Sequence, residues 1–215
     1  MGKDKLGAFI DAVYAITITI CIINIKTPDE PTWSALWAVR DSIVTYIITF
    51  FMMISMWIQI HFLWHQITKI DNAVIWACML FLFTSSFIPY ATLLIMGGGF
   101  DNRYFAILYG VLAIVISLSL LAIQITCEKC NEETLGSGKA SKIMPSRAIM
   151  SLDIFIKLLG TLLAALFWPP LVIIAVFVAF EFNSLATRIV QKRIAKKIDS
   201  DMHADEQISM DEECL

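Results

Sequence analysis

The sequence predicts an all-α membrane protein with six transmembrane helices in each subunit. Two observations predict it. The 215-residue chain is 58% hydrophobic and only 16% charged, and its apolar residues fall into stretches about as long as a helix that spans a bilayer. Soluble domains are about 45–50% apolar and about 25% charged. The composition therefore excludes a soluble enzyme, an intrinsically disordered protein and a nucleic-acid-binding protein.

The apolar stretches are separated by polar or helix-breaking residues. The first ends at a Lys-Thr-Pro sequence, the third at three consecutive glycines and the fifth at Pro169-Pro170, and proline interrupts a helix. The second can begin earlier, with Thr32 or Ser34 as its N-cap. After the fourth comes a long polar loop, residues 127–147. The six predicted spans are residues 6–25, 42–64, 73–96, 104–126, 148–168 and 171–185.

The distribution of basic residues predicts the orientation of the chain. Because the number of spans is even, both termini lie on the same side of the membrane. Twelve Lys and Arg side chains fall on that side, and at most three, Lys26, Arg40 and Arg103, fall on the other. Cytoplasmic loops carry an excess of Lys and Arg, so both termini are predicted to be cytoplasmic. We expect a six-helix domain over residues 1–198 and an acidic, disordered tail over residues 199–215.

Ionisable side chains inside a span are costly and need a partner, water or a function. Asp11 lies near the cytoplasmic end of the first span, and the second span ends on the same side with Trp57 and His61 one helical turn apart. We expect these residues to form a structural polar cluster. A carboxylate in contact with interfacial water is the alternative interpretation of Asp11.

Three further charged residues lie in the last two spans. Asp153 and Lys157 are four residues apart on the fifth span, a spacing that predicts an ion pair within one helix. Glu181 is interpreted as an interfacial charge close to the point where the sixth span leaves the membrane, with Arg188 nearby as compensation.

Motifs for chemistry are missing from the sequence. Cys127-x-x-Cys130 has no second cysteine pair and no nearby histidine, so a zinc site is not expected. No nucleophile with its base and no phosphate-binding loop can be recognised. We therefore expect no enzyme activity, no catalytic residue, no cofactor and no metal.

One face of the first span carries Ile16, Thr19, Ile20 and Ile23. At about 100° per residue these four side chains fall within an arc of roughly 100°, and Asp11 lies roughly 140° away. An apolar constriction is a physically possible ion pathway, because such pores gate by dewetting. The periodicity by itself is equally consistent with a face that meets lipid or another helix.

The first three spans contain a recognisable series of motifs. The first is Lys5-x-x-x-Phe9-Ile10-Asp11 at the start of the chain, and it is followed by Trp57-x-x-x-His61 and by Phe-Ile-Pro-Tyr at residues 87–90. This series resembles the transmembrane protein 175 family of potassium channels, found in prokaryotes and lysosomes. The last three spans share only span number and hydropathy with that family.

The sequence departs from the family pattern at two positions. Lys5 stands where the family has arginine, and Ile10 stands where it has serine. Lysine cannot make the planar bidentate contact of arginine, so the polar cluster is expected to be bonded differently in this chain. The residues that the resemblance assigns to this cluster are Lys5, Phe9, Asp11, Trp57 and His61.

The resemblance also implies an assembly and a function. Members of this family from prokaryotes are tetramers in which the first helix of each subunit lines a central pore. By its position after the motif aspartate, Ile16 matches the hydrophobic constriction, which Ile20 and Ile23 would extend, and Thr19 matches a hydroxyl layer credited with weak potassium selectivity. The implied function is passive potassium conduction across the cell membrane, through a hydrophobic gate and without a carbonyl selectivity filter. K⁺ is then the permeant ion, and the partners are lipid and other copies of the chain.

Two other functions stay open at this point. A proton- or ion-coupled secondary transporter would use Asp11, His61, Asp153 and Glu181 as relay groups. Such carriers often contain repeated halves with broken helices, and Pro89 is the one candidate break. A structural or accessory membrane protein without transport is the second alternative.

Overall fold

The computed structural model describes residues 2–23, 25, 27–67, 69–97, 102–135 and 147–189. Within these ranges the chain is helical without strands, and six helical segments are long and apolar enough to cross a membrane. The predicted fold class, an all-α protein with six spans, is confirmed. The acidic tail predicted for residues 199–215 lies outside the described residues, as do residues 190–198. The six spans are Lys3–Ile23, Arg40–Trp64, Asn72–Ile95, Arg103–Asn131, Ala148–Leu166 and Leu171–Ile189.

The first and second spans differ from prediction at their ends. The first-span helix is Lys3–Ile23, so it begins before the apolar residues do. The second span is preceded by a separate short helix, Trp33–Ala38, and its own helix is Arg40–Gln66. The Thr32 hydroxyl caps the short helix by accepting a hydrogen bond from the Ala35 N–H at 3.2 Å, as predicted for one of the two candidate caps.

The third span consists of two helices, Asn72–Ser85 and Ile88–Gly97. The Asp71 carboxylate caps the first of them and accepts a hydrogen bond from the Val74 N–H at 2.9 Å. The break precedes Pro89, which lacks a backbone N–H and is tolerated only in the first turn of a helix. A single continuous span, as the hydropathy predicts, is therefore interrupted near its middle.

The fourth span is longer than predicted. Its helix is Arg103–Leu135, so residues 127–135, predicted to belong to a polar loop, continue the helix instead. The segment contains no glycine or proline, and its Glu and Lys residues are good helix formers. A hydrogen bond from Gln124 Nε2 to Glu128 Oε1, 3.2 Å long, adds support across one turn.

The helix of the fifth span, Arg147–Leu166, ends just before Pro169-Pro170, and the sixth span follows at Leu171–Ile189. Two glycines, Gly110 on the fourth span and Gly160 on the fifth, permit close packing among the last three spans. A Cβ atom at Gly160 would lie 2.2 Å from Ala175 Cβ, and one at Gly110 would lie 2.0 Å from Thr161 Oγ1. Small residues at helix contacts allow this kind of approach in membranes.

The charged side chains predicted in the last spans have polar partners inside the subunit. Lys157 Nζ donates to both Asp153 carboxylate oxygens, at 2.8 and 2.7 Å, which confirms the predicted ion pair. The ammonium also contacts Ser117 Oγ at 2.5 Å and lies over the Phe180 ring. Glu181 is the eleventh of nineteen residues in the sixth span. Its carboxylate accepts a hydrogen bond from the Ser55 hydroxyl, so it lies deeper than the interfacial position expected.

Candidate pore-lining surface

The first span buries one face in its own subunit and leaves the other uncovered. The exposed fraction is 60% for Ile16, 44% for Ile20 and 77% for Ile23, and Thr19 is exposed as well. The residues of the buried face recur every three or four positions along the same helix: Leu6, Ile10, Tyr14, Thr17 and Cys21. All four residues of the predicted stripe are therefore available for contacts outside the subunit.

Aromatic packing explains which face is buried. Tyr14, 1% exposed, stacks on Phe81 of the third span with ring centroids 5.7 Å apart. Its hydroxyl donates to the sulfur of Met56 on the second span, 3.4 Å away. These contacts hold the first span against two neighbours and set its rotation, so that the stripe points away from the subunit core.

Thr19 is the only hydroxyl-bearing residue of the stripe. Its Oγ1 donates a hydrogen bond to the carbonyl oxygen of Ile16, 2.8 Å away and one turn earlier in the helix. A hydroxyl has one hydrogen and two lone pairs. Because the hydrogen is used within the helix, the lone pairs are left to accept from, or coordinate, a group outside the subunit.

Near the N-terminal end of the first span, the structure brings together three of the five residues predicted to form a polar cluster. Trp57 Nε1 donates to Asp11 Oδ1 at 2.8 Å, and the Trp57 ring stacks on His61 with centroids 4.9 Å apart. Lys5 and Phe9 are exposed instead. Their role in this cluster remains a prediction.

The departure from the family motif at Ile10 has a structural counterpart. Ile10 is 2% exposed and belongs to the hydrophobic core, so an apolar side chain suits this position. Close by, a Cβ atom at Gly7 would lie 2.8 Å from Trp64 Nε1. The N-terminal end of the first span thus packs on the second span through the Trp64 ring.

Sequence reasoning missed one group of contacts at this end of the molecule. The Lys3 ammonium donates to the Ile67 carbonyl, and the Asn131 side chain binds both backbone groups of Lys69. Asn131 lies in the segment predicted to be a loop. The absence of glycine and proline from residues 127–135 was the available signal.

The described residues offer little for chemistry or metal binding. In the ranges that the structure covers, no three His, Cys, Asp or Glu side chains come together as metal ligands would. The exposed stripe of the first span consists of three isoleucine side chains and one hydroxyl, that of Thr19. Such a surface can contact lipid or protein, or confine water and ions, but it holds no group that forms a covalent bond with a substrate.

Comparison with known proteins shows what the chain is similar to. The family described as endosomal/lysosomal potassium channel TMEM175 matches residues 5–89, which run from the first span into the third. A potassium channel from a Chryseobacterium species is 27% identical over 198 residues, 92% of this chain and 98% of that protein. The chain is thus similar to the TMEM175 family in its first three spans and to this potassium channel over most of its length. The matched family and this relative are described as potassium channels, and channels are not enzymes.

Further proteins similar to this chain are also bacterial. A potassium channel from Streptomyces collinus is 29% identical over 126 residues, 57% of this chain and 61% of that protein. The crystal structure of a lysosomal potassium-selective channel TMEM175 homolog from Chamaesiphon minutus has the same fold. Its TM-score is 0.72 at 19% identity, with 86% of this chain and 97% of that chain covered.

Proposed function

We propose that this protein belongs to the TMEM175 family and is a potassium-permeable channel of the cell membrane, formed by four copies of the chain around a central pore. The observation that carries the proposal is the exposed face of the first span, with Ile16 60% and Ile23 77% exposed. Inside a membrane such a face meets lipid, another copy of the chain or a pore. The names of the Chryseobacterium and Streptomyces collinus relatives, both potassium channels, favour the pore.

The constriction in this proposal is apolar. Four copies of Ile16 around one axis form a ring that an ion crosses with part of its hydration shell removed, and Ile20 and Ile23 extend the ring outward. From residue 16 to residue 23 the helix rises by about 10 Å, so the bottleneck is short. Apolar constrictions gate by dewetting. Conduction is passive and follows the electrochemical gradient of K⁺.

Thr19 supplies the one polar layer of the proposed pore. Its hydroxyl hydrogen is used in the bond to the Ile16 carbonyl, so the oxygen lone pairs face the ion. A single ring of hydroxyl oxygens replaces hydration water less completely than a cage of backbone carbonyls. The proposed selectivity is therefore a weak preference for K⁺ over Na⁺, reached without a carbonyl filter.

A coupled transporter has less support. The relay groups that it would need make contacts within the subunit, Asp153 with Lys157 and Glu181 with Ser55. Carriers built from repeats have broken helices in both halves. The third span is broken at residues 86–87, whereas the described helices of the fourth, fifth and sixth spans are continuous.

The test is K⁺ flux into liposomes that contain the purified protein. Ile16→Asn introduces a polar ring that eases wetting of the constriction, so we expect flux several times that of the wild type. Ile174→Asn is the matched control, because Ile174 is 48% exposed on the sixth span, and its flux should equal that of the wild type. Equal flux in Ile16→Asn and the wild type would contradict the assigned pore.

A further inference from the structure

The connection between the second and third spans ties the inner end of the first span to the fourth span. We refer to residues 67 and 69–71 as the inner loop. The Lys3 ammonium donates to the carbonyl oxygen of Ile67 at 2.6 Å. Two residues further on, the Lys69 N–H donates to Asn131 Oδ1, and the Lys69 carbonyl accepts from Asn131 Nδ2, both at 3.0 Å. The inner loop is thus held from two sides.

The position of Lys3 is unfavourable within its own helix. It is the first residue of the helix Lys3–Ile23, where the positive end of the helix dipole repels a cation. The side chain instead reaches Ile67, the C-cap of the second-span helix, where the negative end of another dipole attracts it. Bonds from a charged donor are also stronger than neutral ones. The unfavourable position of the Lys3 charge at the start of its own helix is therefore offset by its hydrogen bond to the end of the second-span helix.

The chemistry of Asn131 is specific to a side-chain amide. Asn131 is 0% exposed, and its Nδ2 also donates to the carbonyl oxygen of Cys127, 3.0 Å away. A side-chain amide has an acceptor oxygen and two N–H donors, which match the N–H and carbonyl of Lys69 and the carbonyl of Cys127. Leucine would offer neither, and an ionised aspartate would place a charge against two carbonyl oxygens.

We propose that Lys3 and Asn131 are positioning residues for permeation, and that through the inner loop they fix the inner end of the pore-lining first span against the fourth span. This inference rests on the proposed function, since it requires the first span to line a pore. Neither residue belongs to the constriction, because Lys3 precedes Ile16 by thirteen residues, roughly 20 Å along the helix. Their effect reaches the pore through the placement of the helix.

The test measures single-channel open probability of the full-length protein in planar bilayers. A hydrogen bond to a charged group that exists in only one of two conformers shifts their ratio by roughly tenfold or more. Lys3→Met should change the open probability by about this factor. Asn131→Leu removes hydrogen bonds between neutral groups and should change it in the same direction by roughly several-fold. Because both act through one loop, the double variant should show no more than the larger single effect. Lys3→Arg keeps the donor and should behave as the wild type.

Lys129→Met is the charge control, since Lys129 is exposed on the same side of the molecule and its removal should leave the open probability unchanged. If Asn131→Leu fails to assemble, Asn131→Gln keeps the amide one methylene further out and should give a smaller shift in the same direction. The proposal is overturned if thermal stability falls while open probability stays at the wild-type value, or if the two single effects multiply. A failure of the proposed function is distinct: the wild type would then carry no K⁺ current.

Discussion

Thr19 stands alone as a hydroxyl among three isoleucines on the exposed face of the first span. Its hydrogen bond to the Ile16 carbonyl, 2.8 Å long, fixes the direction of the hydroxyl hydrogen and leaves the oxygen for other contacts. At the scale of single residues, this oxygen is the one feature of the stripe that can distinguish two monovalent cations. The isoleucine side chains are bulky and apolar, and they offer no atom that coordinates a cation.

We expect Thr19→Val to remove the K⁺ preference. Valine keeps the branched shape and removes the oxygen, so the K⁺/Na⁺ permeability ratio from reversal potentials should fall to near one while current persists. Thr19→Ser retains the hydroxyl and should retain the preference. An unchanged ratio in Thr19→Val would show that selectivity arises elsewhere.

The sequence predicted some residue contacts and missed others for physical reasons. Helical spacing and a shared membrane side were enough to predict that Asp11 approaches Trp57 and His61, which the structure shows at 2.8 Å for the Trp57 indole. Spacing does not determine the rotation of a helix. That rotation depends on packing contacts such as Tyr14 against Phe81, and it leaves Phe9 45% exposed.

Whole elements follow the sequence where a strong local signal exists. Pro169-Pro170 follows the end of the fifth-span helix as expected, and Asp153 and Lys157 pair across one turn. Hydropathy fails where a polar segment is helical, as in residues 127–135 of the fourth span. Asn131 could not be placed from the sequence because its partner, Lys69, is 62 residues away along the chain.

The buried ion pair of the fifth span makes a prediction about stability. Lys157 is 0% and Asp153 1% exposed, and removing one partner of such a pair leaves an uncompensated buried charge, at a cost of about 3–5 kcal/mol. Lys157→Met should therefore lower the free energy of unfolding strongly, as measured by thermal unfolding in detergent. Leu158→Met, at a residue 56% exposed to the outside of the subunit, should have little effect.

A second substitution separates charge from packing. Lys157→Met combined with Asp153→Leu removes both charges and places a larger apolar side chain at residue 153, and replacing a buried ion pair by apolar residues is often neutral or stabilising. We expect the double variant to recover most of the lost stability. A double variant as unstable as Lys157→Met alone would mean that contacts with Ser117 and Phe180, rather than the charge balance, account for the loss.

At the scale of the whole molecule, composition and hydropathy were sufficient for the fold class and the number of spans, because the bilayer requires long apolar helices. They are not sufficient for the assembly. Whether the exposed stripe meets lipid or a shared axis depends on surfaces of several copies, and one chain carries no direct record of that arrangement. The tetramer and the cytoplasmic position of both termini therefore remain predictions.

The central claim is that the Ile16 side chain faces the ion pathway. The most direct measurement is the K⁺ current of Ile16→Cys before and after treatment with a cationic methanethiosulfonate reagent, with Ile174→Cys and the wild type treated in parallel. If Ile16 lines the pore, attachment of a bulky cation should abolish most of the current in Ile16→Cys and spare the other two. If mass spectrometry shows that Ile16→Cys is modified and its current is unchanged, the first span does not line the pathway.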